Sequence, residues 1–244
     1  MKIIHISDLH FHKDQENNKA ANKLLRTIND KFPNHYLIVT GDITDDGHWL
    51  QSQNALEALE PFIGRIFICP GNHDFGALGN LYNAIRAEQF DELLAVPLKQ
   101  HGYFAGNNIS VVNRVDDVKF IALDSNLETD SPFDFACGRI GERQLRVLNS
   151  ILSVIDDSKK VLFFHHHPFV MNDPFMELQD AKELARIIYG RVDVMLFGHK
   201  HEMGHWREIW GIPFIMASDD SPGKSRVGEI TIENDEIQMN YVEV

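Results

Sequence analysis

The chain is short of cysteine, of positive charge and of unbroken apolar sequence, and each shortage removes a class of protein. Only Cys69 and Cys137 stand among 244 residues. Sequence alone does not pair them, and a cytosolic protein would keep both as thiols. Cys69 lies inside an apolar run and reads as core. Lys and Arg number 23 against 36 Asp and Glu, for a net charge of −13. Proteins that hold a polyanion carry a basic face. Here the basic residues are scattered, which argues against a long nucleic-acid substrate. No run reaches the roughly 20 apolar residues of a membrane span. The opening run, Lys2 to Ser7, is too short for a signal peptide, and Asp8 interrupts it. A cytoplasmic protein with no membrane partner is expected. The chain also lacks a Gly-x-Ser-x-Gly segment, an internal repeat and a low-complexity linker. Residues 1–244 therefore read as one domain.

What is present is ordinary globular material, 43% apolar and 24% charged. The first half alternates strands with helices. Strands are expected at about 2–7, 36–40 and 65–69, and helices at about 17–32, 48–60 and 77–87, the last through Leu78, Leu81 and Ile85. Such alternation implies parallel βαβ units. Further strands are expected at 103–105, 109–115 and 118–123, with turns at Gly106-Asn107-Asn108 and Asp116-Asp117 and antiparallel pairing. A loop over 125–139, a helix over 141–156, strand 160–164, helix 176–189 and strand 192–197 follow. Strand-like pieces at 205–217, 226–232 and 237–243 close the chain, the last two separated by Asn234-Asp235. Two sheets packed face to face with helices outside would hold a parallel first half and an antiparallel remainder.

Five segments carry the chemistry: Asp8-Leu9-His10, Gly41-Asp42, Gly71-Asn72-His73-Asp74, His165-His166-His167-Pro168 and Gly198-His199-Lys200-His201. Each has a plainer reading by itself, as a turn, a helix cap or a polar strand end. Together they follow buried strands, and residues at the carboxyl ends of parallel strands converge on one crevice. Carboxylate, imidazole and amide oxygen suit first-row cations such as Mn²⁺, Fe²⁺ or Zn²⁺. The absence of cysteine from the set argues against a structural zinc. An aspartate can bridge two cations. A pair roughly 3.5–4 Å apart lowers the pKa of a bridging water and clamps phosphate oxygens, so that hydroxide attacks phosphorus in line.

The set Asp-x-His, Gly-Asp-x-x-Asp-x-Gly, Gly-Asn-His-Asp, His-x-Pro and Gly-His-x-His resembles the calcineurin-like metallophosphoesterase superfamily, in its order and over residues 8–201. The resemblance implies an α/β fold, a four-layer αββα sandwich of two mixed sheets flanked by helices, and a dinuclear centre. It implies Asp8, His10 and His201 on one metal, Asn72, His166 and His199 on the other, and Asp42 between them. His73 would protonate the leaving oxygen, paired with Asp45. His165 and His167 would neighbour the ligand His166, and His12 could sit near the first metal or on a surface loop.

Departures narrow the class. Protein Ser/Thr phosphatases carry Arg and Glu where Asp46 and Asp74 stand here, and no tyrosine lies near Asp42 as in purple acid phosphatases. Leu123-Asp124-Ser125, Gly138-Arg139-Ile140-Gly141, Gln144-Leu145 and Leu148 resemble class III cyclic-nucleotide and glycerophosphodiester phosphodiesterases. In this reading Arg139 lies in a loop over the pocket. The expected activity is hydrolysis of a small phosphodiester. A metal-dependent nuclease is the alternative, although nucleases of this kind usually append a capping domain for which the chain is short. A non-catalytic partner-binding scaffold is a third reading, but such members lose ligands that are retained here. A homodimer is compatible with all three.

Overall fold

The computed structural model describes residues 1–77, 81–107, 111–129, 131, 133, 134, 136–170, 173–233 and 236–244. Leu78, Asn108, Ile109 and the Asn234-Asp235 break lie outside them. In chain order the elements are β1 Lys2–Ile6, α1 Lys19–Lys31, β2 Tyr36–Thr40, α2 Trp49–Leu59, β3 Ile66–Cys69, α3 Asn72–Phe75, β4 Gly76–Ala77, β5 Leu81–Tyr82 and α4 Ala84–Phe90. Then come β6 Val111–Val115, β7 Val118–Ala122, α5 Glu142–Leu152, β8 Lys159–Phe163, α6 Ala181–Ile188, β9 Val194–Phe197, β10 Gly204–Trp206, β11 Phe214–Ala217, β12 Arg226–Glu233 and β13 Glu236–Glu243.

Two mixed sheets form, ordered β13-β12-β1-β2-β3 and β10-β11-β9-β8-β7-β6. The second is buried on both faces, and its sequence shows why. Phe120, Ala122, Val161, Phe163, Val194 and Leu196 join the core shared with the first sheet. The residues between them, Ile121, Leu162 and Met195, join a separate core with Leu145, Leu148, Leu184 and Ile188 of α5 and α6. A register slip of one residue would exchange the two cores. Phe67 of β3 stacks on Phe120 of β7 at 4.2 Å, which marks where the sheets meet. Ala21, Leu24, Leu25 and Ile28 supply the apolar stripe of α1 at helical spacing.

Three expectations are corrected. The second half is not mainly antiparallel: β7, β8, β9 and β11 run parallel, because α5 and α6 serve as crossovers. In that half, among the described residues, the antiparallel strand pairs are β6 with β7, β10 with β11, and β12 with β1 and β13. In place of the helix expected at 77–87, β4 pairs antiparallel with β5 and α4 follows from Ala84. The Asn83 side chain accepts from the N–H groups of Ile85 and Arg86, and this cap starts the helix late. The strand expected at 103–105 does not form. The Asp91 carboxylate accepts from the backbone N–H groups of Phe104 at 2.9 Å and Ala105 at 2.8 Å, taking the place of a ladder.

Candidate metal centre

The loops leaving β1, β2, β3, β8 and β9 meet at the carboxyl ends of the two sheets. They are stitched to one another by main chain. Asp8 N–H donates to Gly41 O at 3.1 Å, His10 N–H to Asp42 O at 2.9 Å, and Gly198 N–H to His165 O at 3.0 Å. His199 N–H reaches Asp8 Oδ2 at 3.2 Å. Asp8, His10, Asp42, His199 and His201 all hold positive φ, between 45° and 76°. Non-glycine residues in the left-handed region are strained, and such strain concentrates at functional sites. Gly71 is required beside them, because a Cβ there would stand 2.1 Å from Asp42 Oδ1.

The residues singled out in the sequence are brought together. Asp8, His10 and His201 present ligand atoms within 4.8 Å of one another, and His201 Nε2 is 3.2 Å from Asp8 Oδ1. His166 and His199 lie side by side, ring centroids 4.4 Å apart, both buried. Asp42, also buried, lies against His10 and against His165, the neighbour of His199. One of its oxygens is 3.9 Å from His10 Nε2 and 3.2 Å from His165 Nε2, and the other accepts His73 N–H at 2.9 Å. Asn72 opens α3 beside it and is buried.

The expected pairing of His73 with Asp45 takes a different form. His73 Nδ1 lies 2.7 Å from the backbone carbonyl of Asp45, not from its carboxylate. The carboxylate turns instead to His12 Nδ1 at 3.3 Å and His10 Nδ1 at 4.0 Å. His167 leaves the group altogether: its ring packs on Phe197 and Trp206, at 4.6 and 5.6 Å. Arg139 is exposed, and its N–H closes onto Ser125 O at 2.8 Å.

Three supporting residues were not assigned from sequence. His165 is fully buried, with Nδ1 donating to Thr40 O at 2.8 Å and Nε2 3.2 Å from His199 Nδ1. Its only signal was its place in a run of histidines. Asp74 accepts from Gly71 N–H at 2.9 Å, Thr44 N–H at 2.8 Å and Thr44 Oγ1 at 2.8 Å, tying the β2 and β3 loops together. An acid three residues after Gly71, at a helix start, was the available cue. Ser125 Oγ lies 2.8 Å from His166 Nδ1.

Burial opposes charge throughout, and the carboxylates decide where it is overcome. Burial alone would raise Asp42, but the neighbouring His165, His73 and His10 hold it well below the ordinary carboxylate range. Burial would likewise lower His165, but Asp42 outweighs it and pushes that ring up to about 9. Burial drives His166 and His199 well below the usual histidine range, so both are neutral. Burial also lowers His10, whereas the Asp8 carboxylate facing its Nε2 raises His201.

Neutral imidazoles with a bare nitrogen are what a cation needs. His10 Nε2, His166 Nε2 and His199 Nε2 are buried and have no hydrogen-bond partner. A buried polar atom left so costs free energy unless something else satisfies it. The donor set, carboxylate plus imidazole without thiolate, fits divalent first-row cations.

Residues 1–203 match the model of the calcineurin-like phosphoesterases, and the chain belongs to that family. It is a metal-dependent phosphoric ester hydrolase, and membership implies two divalent cations. Among curated relatives, the probable glycerophosphodiester phosphodiesterase GpdQ of Arcobacter nitrofigilis is 26% identical, over 99% of this chain and 88% of that protein. A probable cyclic nucleotide phosphodiesterase of Coxiella burnetii is 27% identical, over 82% of this chain and 76% of that protein. Among solved structures, a dimetal phosphatase from Danio rerio superposes with a TM-score of 0.70 at 15% identity, covering 99% of this chain and 95% of that one. It shares the fold. No helix among the described residues is long and apolar enough to cross a membrane.

Proposed function

We propose that residues 1–244 act as one domain, a two-metal phosphodiesterase for a small phosphodiester such as a cyclic nucleotide, a glycerophosphodiester or a related nucleotide. The observation that carries this reading is the clustering of Asp8, His10 and His201 beside Asp42 and of His166 and His199 beside His165, which itself contacts Asp42. In this reading the first group would hold one cation, His166 and His199 with Asn72 would hold the second, and Asp42 would contribute to both. The donor types suit Mn²⁺, Fe²⁺ or Zn²⁺. When bound, such a pair activates water and neutralises charge on the phosphate.

The chain's own groups do the rest. Asp42 supplies a formal negative charge at the centre of the site, and His165 keeps its carboxylate oriented through a 3.2 Å contact. His73, with Nδ1 anchored on Asp45 O, presents Nε2 to protonate the departing alkoxide. A small substrate agrees with the phosphodiesterase names of the relatives and with the net charge of −13. Two unpaired, buried cysteines agree with a reducing cytoplasm.

The test is reconstitution of metal-free protein with Mn²⁺, Fe²⁺ or Zn²⁺, followed by a panel of monoester, glycerophosphodiester, cyclic nucleotide and single-stranded DNA. Small diesters should turn over with mild salt dependence. Cleavage confined to DNA, falling steeply with salt as polymer contacts do, would establish the nuclease instead.

A further inference from the structure

We propose that Ser125, held in place by Gln144, is the positioning residue that sets the affinity of the second cation site through His166. The inference rests on the two-metal reading above. His166 can offer Nε2 to a cation only if its proton sits on Nδ1. Ser125 Oγ is the group that receives it, at 2.8 Å, and the same oxygen accepts His166 backbone N–H at 3.2 Å. One hydroxyl thus orients both the ring and the main chain of that histidine. The ring's other face is closed by Gly138, where a Cβ would stand 2.3 Å from His166 Cγ. His166 and Ser125 are both fully buried, so water does not substitute for the hydroxyl.

Ser125 is placed by a side chain that never reaches the site. Gln144 Oε1 accepts Asp124 N–H at 2.9 Å, and its Nε2 donates to Asp124 O at 2.7 Å and Ile140 O at 3.1 Å. A primary amide carries one acceptor and two N–H donors, and here all three are used. Gln144 is 2% exposed and spends all its polar atoms on main chain. Among the described residues, no side-chain hydroxyl braces the rings of the first group. His201 is exposed, and His10 Nδ1 has only the Asp45 carboxylate, 4.0 Å away. Loss of the Ser125 hydroxyl should therefore act on one cation and not on the other.

The experiment is stepwise Mn²⁺ titration of metal-free wild type, Ser125→Ala and Gln144→Leu by calorimetry, with electron paramagnetic resonance reading the coupled Mn²⁺ pair. Removing a partner that orients a metal-binding histidine costs about 10–100-fold in affinity. Ser125→Ala should lose that factor in one of the two steps, keep the other, and show the coupled signal only at correspondingly higher Mn²⁺. Gln144→Leu should weaken the same step. A general structural defect would weaken both steps together, and that outcome overturns the proposal. So does a Ser125→Ala protein that binds two Mn²⁺ as wild type does, although the two-metal reading then stands. If wild type itself binds fewer than two, the reading and the proposal fall together. Should Gln144→Leu not fold, Ser125→Ala, which removes a single oxygen, decides alone.

Discussion

Separate replacement of His73 and Asp45 tests the leaving-group chemistry most sharply, because the structure splits two residues that sequence joined. His73 Nδ1 bonds to the Asp45 carbonyl at 2.7 Å, and the Asp45 carboxylate faces His12 and His10. Loss of a general acid typically costs roughly 10²–10⁴-fold, or about 2.7–5.5 kcal/mol of transition-state stabilisation. His73→Ala should show that loss on an alkyl diester, whose alkoxide needs a proton. On a nitrophenyl diester, whose anion departs unaided, the loss should be less than about tenfold, below that range. Asp45→Asn keeps the carbonyl. It removes only a carboxylate–imidazole attraction on partly exposed groups, worth about 0.2–1 kcal/mol or up to roughly fivefold in rate. Steady-state kinetics at saturating metal on both diesters separates the cases. Equal losses for His73→Ala on the two diesters would refute the acid role. An Asp45→Asn loss as large as that of His73→Ala, and confined to the alkyl diester, would show that the carboxylate is the operative partner.

Two further outcomes are expected. In the bridging reading, Asp42→Ala should abolish activity and weaken both Mn²⁺ steps; calorimetry showing two tight metals in that variant would remove it from the bridge. Asp124 is buried, which pushes its pKa up to about 8 from an ordinary 3.8. The folded chain then keeps a proton that the unfolded chain releases, so its contribution to stability falls as pH rises from about 4 to about 8. Asp124→Asn does not titrate, and in EDTA its melting temperature should gain on wild type steadily between pH 5 and pH 8. A difference that stays constant with pH would contradict this.

The ligand-type residues were legible because their chemistry is local. Asp8-x-His10, Gly41-Asp42 and His199-x-His201 follow runs whose apolar character already marks buried strands, so their place at strand ends followed from pattern alone. The unbroken apolar runs Val161–Phe164 and Val194–Phe197 marked buried strands, and the structure divides their side chains alternately between two cores. What was lost was information carried by distant partners. The helix expected at 77–87 failed because one asparagine cap outweighed a helical spacing, and the strand at 103–105 because a carboxylate twelve or more residues away took its N–H groups.

The same distinction runs through the site. Residue types and their order belong to the sequence, since charge, lone pairs and backbone preference travel with each side chain. Only tertiary structure decided that His165 faces Asp42, that His167 turns into an aromatic cluster, that His73 takes a carbonyl of Asp45, and that Ser125 holds His166. Those assignments depend on where loops from separate strands cross and on which burial leaves a polar atom with one partner within reach. Hydrogen bonds act over about 3 Å, and no spacing along the chain encodes a contact between residues 125 and 166.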